Sequence, residues 1–312
     1  MKEKILVTGG AGYIGSVLVP NLLSEGYFVT VLDNFMYGEN SLATCFINDN
    51  FNIINGDIRD KNLINKVLKD FDIIIHLASL VGAPLCDRDP ITADQVNKQA
   101  SIYIIKNLSD DQRIIMPTTN SAYGKGDENN YCDENSPLNP ISSYALQKVE
   151  IEKFLTEKNN FISYRLATVF GMSPRMRLDL LVNDFTYRAF TDSFIVLYES
   201  HFKRNYIHIS DVASAFIFGI QKFDKMKNNI YNVGLSNANV SKLELCNIIK
   251  KQLPNFYIVE TQYKKDKDQR NYIVSNNKIE KIGFMPKIFL EQGVKELIRG
   301  YSSFSFRKYR NS

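Results

Sequence analysis

The first half of the chain alternates between short apolar runs and stretches in which apolar residues recur at helical spacing. The apolar runs lack a polar residue at every second position, so they predict strands that are covered on both faces. Strands are predicted at Lys4–Thr8, Phe28–Asp33, Asn52–Asn55, Asp72–His76, Ile114–Pro117 and Phe161–Leu166, and helices at Tyr13–Glu25, Asn62–Lys69, Thr92–Leu108 and Ser143–Lys158. This order predicts an α/β fold with a doubly wound parallel sheet.

After about Gly171 the segments become shorter and more polar, and helices are predicted only near Leu178–Phe190 and Lys242–Gln252. We therefore predict a nucleotide-binding domain of residues 1–171 with about 205–235. A smaller substrate-binding lobe of residues 172–204 and 236–312 would form the other wall of a cleft.

Composition narrows the function only slightly. The net charge of +4, with 44% hydrophobic and 23% charged residues, is that of an ordinary globular protein and suits a phosphorylated substrate better than nucleic acid. The four cysteines and three histidines have no metal-ligand spacing, so neither a metal nor disulfides are expected. With no signal peptide or membrane-length apolar run, a cytoplasmic protein is expected, and Arg307, Lys308 and Arg310 are interpreted as a solvated tail.

A glycine-rich loop, Thr8–Gly15, separates the first strand from the first helix. Gly9 would permit the tight turn, Gly12 would let the backbone approach a pyrophosphate, and Gly15 would let the helix pack closely on the strand. The helix N-terminus would then face the anion. This context predicts a dinucleotide site of Rossmann type.

The residue at the end of the second strand indicates which dinucleotide binds. Asp33 is placed to accept hydrogen bonds from the adenosine ribose, and its charge would repel a 2′-phosphate. Asn34, and no arginine, follows it. NAD is therefore predicted over NADP.

Two further turns follow strands of the predicted sheet. Asp57 after the third strand is either an acceptor for the adenine amine or an ordinary turn aspartate. The segment His76–Ser79 after the fourth strand would line the cofactor between phosphate and nicotinamide, and His76 itself is interpreted as a packing residue.

Tyr144 and Lys148 lie four residues apart on a predicted helix, so they share a face. An ammonium close to a phenol stabilises the phenolate and lowers a pKa that is ordinarily about 10. Thr119, after the fifth strand, could bridge a reacting hydroxyl to Tyr144 or simply cap backbone. Together the three residues predict base catalysis by Tyr144.

At this point the chain resembles the extended short-chain dehydrogenase/reductases, in particular the nucleotide-sugar epimerase/dehydratase group. The resemblance is carried by the glycine loop, Asp33, Thr119–Gly124, the Tyr144/Lys148 pair and the segment Arg204–His208 with Asp211. It implies an NAD-binding domain, a nucleotide-sugar lobe, and a homodimer that pairs through helices near Thr92–Leu108 and Ser143–Lys158.

The resemblance also implies the site residues. The catalytic set is Thr119, Tyr144 and Lys148. The cofactor set is Gly9, Gly12, Tyr13, Ile14, Gly15, Asp33, Asn34, Asp57, Ile58, Leu77, Ala78, Ser79, Asn97 and Lys148. The substrate set is Val81, Asn120, Ser121, Thr168, Arg175, Arg177, Asn183, Arg204 and Arg270, with the arginines as candidates to grip a diphosphate. Cys86 is a packed thiol or, in a carbon-epimerising variant, an acid.

Departures from the group narrow the chemistry. Dehydratases of the group carry Asp-Glu after the catalytic threonine, and decarboxylases keep the glutamate, whereas this chain has Asn120 and Ser121. Dehydration and decarboxylation are therefore disfavoured, and oxidation at C4 of the sugar is the reaction that remains. Residues 81–86 and 173–180 do not resemble the corresponding segments of common UDP-galactose epimerases. They are most similar to segments of the bacterial GDP-manno-heptose 4-dehydrogenases of capsule synthesis. The sequence therefore predicts a 4-dehydrogenase, with a 4-epimerase, a 4-keto reductase or a catalytically silent binding protein as alternatives.

Overall fold

The computed structural model describes residues 2–38, 40–126, 130–261 and 270–303. Within these ranges the strands are β1 (Lys4–Thr8), β2 (Phe28–Asp33), β3 (Phe51–Asn55), β4 (Ile73–His76), β5 (Arg113–Thr119), β6 (Phe161–Leu166), β7 (Thr168–Phe170), β8 (Phe194–Tyr198), β9 (Lys203–His208), β10 (Asn229–Val233), β11 (Asn239–Ser241) and β12 (Tyr257–Thr261). The α-helices are α1 (Gly15–Ser24), α2 (Lys61–Val67), α3 (Ala83–Arg88), α4 (Pro90–Ala93), α5 (Ala100–Asn107), α6 (Ser143–Thr156), α7 (Leu181–Thr191), α8 (Ile209–Gln221), α9 (Phe223–Met226), α10 (Lys242–Gln252), α11 (Asn277–Glu280) and α12 (Leu290–Ser303).

A seven-stranded parallel sheet forms the centre of the protein, in the order β10-β6-β5-β4-β1-β2-β3. The prediction of a doubly wound parallel sheet is confirmed. The strand order reverses beside β1, and in such sheets ligands bind in the crevice outside the carboxyl ends of the strands.

Alternate residues of one strand explain why helices cover both faces. Ile5 and Val7 of β1 pack in one hydrophobic cluster with residues of α1 and α8. Leu6, between them, packs in a second cluster with residues of α2, α5 and α6. All three side chains are fully buried, so β1 has no polar face to alternate with its apolar one.

Side-chain caps fix where several helices begin. The Ser142 side chain accepts from the backbone N–H of Ala145 at the start of α6, and Asp60 caps α2 in the same way. Ser241 and Glu244 form a reciprocal capping box at α10. Such caps satisfy backbone N–H groups that have no partner within the helix.

The predicted helix over Thr92–Leu108 is not uniform. A π-helical turn over Asp94–Gln99 joins α4 to α5, so the helical path runs from Pro90 to Asn107 with one widened turn. Such turns are often found at functional sites. Here the turn carries Asn97, which is fully buried.

Residues beyond Gly171 return to the central sheet. β10 pairs in parallel with β6 and forms the sheet edge, and α8 packs against α1. The remaining elements form two small sheets, β11-β9-β7 and β12-β8, with helices α7, α10 and α12 beside them. One hydrophobic cluster includes both Val7 of β1 and Leu297 of α12, and the division into two domains stays a prediction.

Among the described residues, no helix combines the length and apolar character that a membrane crossing needs. In the same ranges no three His, Cys, Asp or Glu side chains are grouped as metal ligands would be. The predicted basic tail, with Arg307, Lys308 and Arg310, lies outside the described residues.

Candidate active site

A cavity of about 1050 Å³ opens at the carboxyl ends of the central strands. Its sheet side is formed by residues at or just after the ends of β1, β2, β4, β5 and β6. The opposite wall is formed by residues that follow β7, together with Arg204, Arg270 and Tyr272. The cavity therefore lies where the reversal of strand order predicts a ligand.

The glycine loop forms one end of this cavity, and each glycine is needed for a different reason. Gly9 has a φ of +69°, and a Cβ there would lie 2.6 Å from the backbone of Ala78. A Cβ on Gly15 would lie 2.4 Å from the backbone of Gly10, so the helix packs on the loop itself and not on the strand. A Cβ on Gly12 would meet only the Gly9 carbonyl, at 3.1 Å, and would otherwise fill space at the cavity wall. Such an opening suits a pyrophosphate.

Asp33 lies at the end of β2 on the cavity wall. Its carboxylate accepts from the backbone N–H of Ala11 at 3.0 Å and of Phe35 at 2.9 Å, which ties it to the glycine loop. Burial raises its pKa, and these hydrogen bonds oppose the rise. Carboxylate oxygens accept more than one hydrogen bond each, so Asp33 can still accept from a ribose.

Asp57 and Asn34 also line the cavity, and the Asp57 carboxylate accepts from the backbone N–H of Arg59 at 2.9 Å, as the turn-aspartate alternative predicts. Asp57 forms an ion pair with Arg59 at 2.7 Å, and this hydrogen bonding lowers the pKa of Asp57. Asn34 donates to the same carboxylate at 3.4 Å. The partner of Asp57 in the protein is thus Arg59, which was not predicted, while Ile58 lies beside it on the cavity wall.

The side chain of Asn97 holds the segment after β4 in place through hydrogen bonds. Leu77, Ala78 and Ser79 line the cavity, whereas Asn97 is not among its described lining residues. The Asn97 side chain accepts from Ser79 Oγ at 2.8 Å and from the Leu80 N–H at 2.7 Å. Asn97 therefore positions the loop that lines the cavity, and its direct contact with a cofactor stays a prediction.

His76 is a packing residue. It is fully buried between Thr8 Oγ1, 2.6 Å from Nδ1, and Ser101 Oγ, 2.8 Å from Nε2. Burial lowers its pKa to about 3, so the ring is neutral near pH 7.

The three predicted catalytic residues meet in the cavity. Tyr144 and Lys148 are one turn apart on α6, with Lys148 Nζ 5.9 Å from the centroid of the Tyr144 ring. Thr119 ends β5, and its Oγ1 accepts from the Ser121 N–H at 3.1 Å. The hydroxyl of Thr119 thus caps backbone, and Thr119 also lines the cavity, so its bridging role stays a prediction.

Burial dominates the electrostatics of the catalytic pair. It raises the pKa of Tyr144 to about 12 and lowers the pKa of Lys148 to about 8. Arg177 is the largest charge that opposes the rise for Tyr144, followed by the weaker Arg270, while Cys86 adds to the rise. Lys148 was expected to be the cation that lowers the Tyr144 pKa, but in the protein alone Arg177 has the larger effect.

The predicted substrate residues divide into two groups. Val81, Ser121, Thr168, Arg175, Arg177, Arg204 and Arg270 line the cavity. Asn120 and Asn183 are fully buried and are not among the described lining residues. Asn183 instead donates to Tyr13 Oη and to the Arg177 carbonyl and accepts from the Gly171 N–H, so it joins the glycine loop to the opposite wall.

Two of the four predicted arginines belong to one end of the cavity. Arg270 donates to Ser121 Oγ, and Arg204 lies 5.8 Å from the centroid of the Tyr272 ring. Arg177 lies nearer the middle, where it pairs with Asp179 and approaches the Val81 carbonyl at 3.5 Å. Arg175 lies against the loop that follows β2, with its guanidinium carbon 3.8 Å from the centroid of the Tyr37 ring.

Comparison with known proteins identifies the family. A family model described as the NAD dependent epimerase/dehydratase family matches residues 5–234. The chain belongs to this family. It is therefore an enzyme whose cofactor is NAD, and the open face of Gly12 and the carboxylate of Asp33 fit that cofactor.

Several relatives of this family member are similar over nearly their whole length. A putative UDP-glucose 4-epimerase of Methanocaldococcus jannaschii is 30% identical, with 94% of this chain and 97% of the relative covered. The human dTDP-D-glucose 4,6-dehydratase is 25% identical over 99% of this chain and 92% of its own. Among solved structures, the Thermus thermophilus UDP-glucose 4-epimerase in complex with NAD has a TM-score of 0.83 at 22% identity, over 97% of this chain and 100% of its own, which shows the shared fold.

Behind the catalytic residues of this family member lies a buried ion pair that the sequence analysis did not identify. Arg165 on β6 binds Glu152 on α6 through two nitrogens, at 2.7 and 3.1 Å. Glu152 also accepts from Thr118 Oγ1 at 2.8 Å. Glu152 follows Lys148 by four residues, on the same helix face. The ion pair therefore ties α6 to β6, and the hydrogen bond to Thr118 ties it to β5, the strand that carries Thr119.

Cys86 lies in the surroundings that the sequence predicts, whereas Tyr37 is a cavity residue that the sequence analysis did not identify. Cys86 is fully buried, with Sγ 3.3 Å from the Leu80 carbonyl, as expected of a packed thiol. Tyr37 lines the cavity in the loop after β2 and was not predicted. Its position four residues after Asp33, the acid predicted to bind the ribose, was the available signal in the sequence.

Proposed function

We propose that this enzyme oxidises C4 of a nucleotide-diphosphate sugar and then returns the hydride, which makes it a 4-epimerase. The supporting observation is that Thr119, Tyr144 and Lys148 line one cavity with the glycine loop at one end and Arg204 and Arg270 at the other. A dinucleotide and a diphosphate sugar placed at these two ends would bring the sugar ring between them, beside Tyr144.

The residues divide the chemistry among them. When bound, NAD supplies the acceptor for the hydride that leaves C4. Tyr144 as phenolate takes the proton of the 4-hydroxyl, and Thr119 holds that hydroxyl through its own. Lys148, as ammonium, stabilises the phenolate and can donate to the nicotinamide ribose. The C4 carbon becomes a ketone, the keto-sugar turns to present its opposite face, and the same groups run the reverse step with the hydride returning to that face.

Dehydration and decarboxylation are not part of the proposal. Asn120 occupies a buried position, and Ser121 donates its N–H to Thr119 and accepts from Arg270. Neither side chain is a carboxylate that could transfer a proton at neutral pH. The dehydratase activity of some relatives is therefore not proposed for this chain.

The proposed 4-epimerase returns the hydride to the sugar, whereas the 4-dehydrogenase predicted from the sequence leaves it on the released cofactor. A 4-dehydrogenase, such as one acting on GDP-manno-heptose, would use the same catalytic residues and release reduced cofactor. The relative that is 30% identical is a putative 4-epimerase, which favours return of the hydride.

The purified enzyme should be incubated separately with UDP-glucose, UDP-N-acetylglucosamine, UDP-glucuronate and GDP-manno-heptose. We expect one of them to be inverted at C4, seen by NMR, without lasting absorbance of reduced nicotinamide. Stoichiometric reduced cofactor with GDP-manno-heptose would establish the 4-dehydrogenase instead. A product that has lost water would contradict both.

Tyr144→Phe tests the assignment of the base. We expect turnover to fall about 10²- to 10⁴-fold, the usual contribution of general acid–base catalysis, while bound NAD is kept. Tyr257→Phe, at an exposed tyrosine of β12, is the matched control. Near-normal turnover of Tyr144→Phe would refute the proposed role.

A further inference from the structure

Arg175 and Tyr37 contact each other across the cofactor half of the cavity. Tyr37 lies in the loop that follows β2, and Arg175 lies in the segment between β7 and α7. The guanidinium carbon of Arg175 is 3.8 Å from the ring centroid, the separation of a stacked cation–π pair. Both side chains line the cavity, and so does Asp33.

The wall that carries Arg175 is attached to the glycine loop. Ser173 Oγ donates to the Tyr13 carbonyl at 2.8 Å and lies 2.9 Å from Ser16 Oγ. Tyr13 Oη in turn donates to the Gly171 carbonyl at 2.8 Å. Met176, next to Arg175, is buried in the main hydrophobic cluster. These contacts fix the backbone on both sides of Arg175.

The wall that carries Tyr37 is attached to the same loop. Ser41 Oγ donates to the Ala11 carbonyl at 2.7 Å, and Asp33 binds the Ala11 N–H. The glycine loop and its two attached walls therefore form three sides of a frame around the adenosine end of the cavity. The contact between Arg175 and Tyr37 closes the fourth side.

The charge in this frame suits a dinucleotide. Burial raises the pKa of Asp33, and Arg175 is among the groups that oppose the rise. Burial likewise raises the pKa of Tyr37, with Arg175 the first charge to oppose it. A buried cation therefore lies close to the predicted ribose acceptor and faces the part of the cavity in which NAD carries its phosphates.

We propose that Arg175 and Tyr37 form a clasp over the adenosine half of bound NAD, so that the cofactor leaves only when their contact opens. Arg175 is then a cofactor-retaining residue and not one of the arginines that grip the substrate diphosphate. The clasp itself depends only on NAD binding. Its consequence rests on the proposed function, because a cofactor that stays bound in its reduced form must return the hydride to the sugar.

Exchange of NAD in the absence of any sugar tests the clasp separately from the proposed reaction. The purified holoenzyme would be mixed with excess isotopically labelled NAD, and the bound label followed by mass spectrometry after rapid gel filtration. We expect Tyr37→Ala and Arg175→Gln each to speed exchange at least about tenfold, while Tyr37→Phe, which keeps the ring, exchanges like the parent. Tyr257→Ala and Arg299→Gln, at exposed positions of β12 and α12, are the matched controls.

Two results would overturn the clasp. One is unchanged exchange in Tyr37→Ala, a substitution at a partly exposed loop residue that the fold should tolerate. The other is an Arg175→Gln variant with a raised KM for the sugar and unchanged exchange, since that would place Arg175 in the diphosphate site predicted from the sequence. Failure of C4 inversion with normal NAD retention would contradict the proposed function and leave the clasp standing.

Discussion

Tyr144 and Lys148 occupy positions that disfavour the charges catalysis needs. Burial raises the pKa of Tyr144 to about 12, and burial lowers that of Lys148 to about 8. Both changes favour the neutral forms, whereas the mechanism uses a phenolate beside an ammonium. The cations that face Tyr144 therefore matter, and Arg177 contributes most, with Arg270 second.

Replacing Arg177 should move the pH dependence of the reaction. A cation favours the phenolate and lowers the Tyr144 pKa, so Arg177→Gln raises that pKa and moves the rising limb of the kcat/KM profile to higher pH. At any pH below the pKa of Tyr144, raising that pKa by one lowers the phenolate fraction, and with it the rate, about tenfold. The profile would be measured for Arg177→Gln and for Arg177→Lys, which keeps the charge.

Arg299→Gln is the control for a change in overall charge, and thermal melting checks whether loss of the ion pair between Arg177 and Asp179 weakens the fold. A kcat/KM that falls equally on the rising limb and on the plateau, with the midpoint of the profile unmoved, would assign Arg177 to substrate binding alone. A profile displaced to lower pH would contradict the electrostatic argument itself.

At the level of elements, neighbouring glycines of the glycine loop serve different purposes, because one is needed for the fold and another for cofactor binding. Gly9 is required by its φ of +69° and by the backbone of Ala78, 2.6 Å from where a Cβ would lie. Gly12 does not adopt a positive φ, and it faces the cavity. The two positions therefore predict different phenotypes for the same substitution.

Gly12→Ala should fold and lose cofactor, whereas Gly9→Ala should lose stability. The added methyl at Gly12 needs the Gly9 carbonyl to move only a few tenths of an ångström but takes space beside the pyrophosphate. We expect NAD affinity to fall at least about tenfold, or 1.4 kcal/mol, with the melting temperature of the cofactor-free protein unchanged. Calorimetric titration and thermal melting measure the two effects, and a Gly12→Ala variant with parental affinity would contradict the assignment.

Periodicity predicted the central sheet well because its strands are uniformly apolar. The bounds of β1, β2 and β6 match the predictions, and β10 and α8 were missed. α8 packs against α1 with eight of its residues buried, and because Val212, Phe216 and Ile220 are buried at helical spacing, the periodicity was present in the sequence. α12 was also missed, although Leu290, Val294, Leu297 and Tyr301 are buried at helical spacing and were an available signal.

The site was predicted where motifs are local and missed where it depends on distant residues. Thr119, Tyr144 and Lys148 all reach the cavity, as do the glycines of the loop. Asn97 and Asn183 instead support the walls from within. The contact of Arg175 with Tyr37 joins segments far apart in the sequence, and only the folded chain brings them together.

At the scale of the whole molecule, exposed apolar side chains on α4 and α6 allow a test of the dimer that the resemblance implies. Leu146 on α6 is 49% exposed, and Ile91 at the start of α4 is 73% exposed. Leu146 belongs to one of the helices through which the resemblance implies a dimer, and Ile91 directly precedes the other. Burial of such apolar residues between two copies would stabilise that dimer.

We expect light scattering after gel filtration to give about twice the mass of one chain, and Leu146→Arg to give the mass of a monomer. A buried arginine without a partner is costly at an interface, which is the basis for this expectation. Val259→Arg, on exposed β12, is the matched control. A monomeric parent protein, or a Val259→Arg variant that dissociates while Leu146→Arg does not, would refute these helices as the interface.

The position of β10 at the edge of the sheet has a consequence for synthesis on the ribosome. β6 lacks its outer neighbour until Val233 has been translated and has left the exit tunnel, and α1 lacks α8 until Gln221 has done so. Domains fold as units, and at about 5–20 residues per second the stretch after Gly171 takes several seconds to emerge. During that interval the nascent chain exposes an unpaired strand edge and the apolar surface that α8 later covers, so we expect ribosome-associated chaperones to bind it.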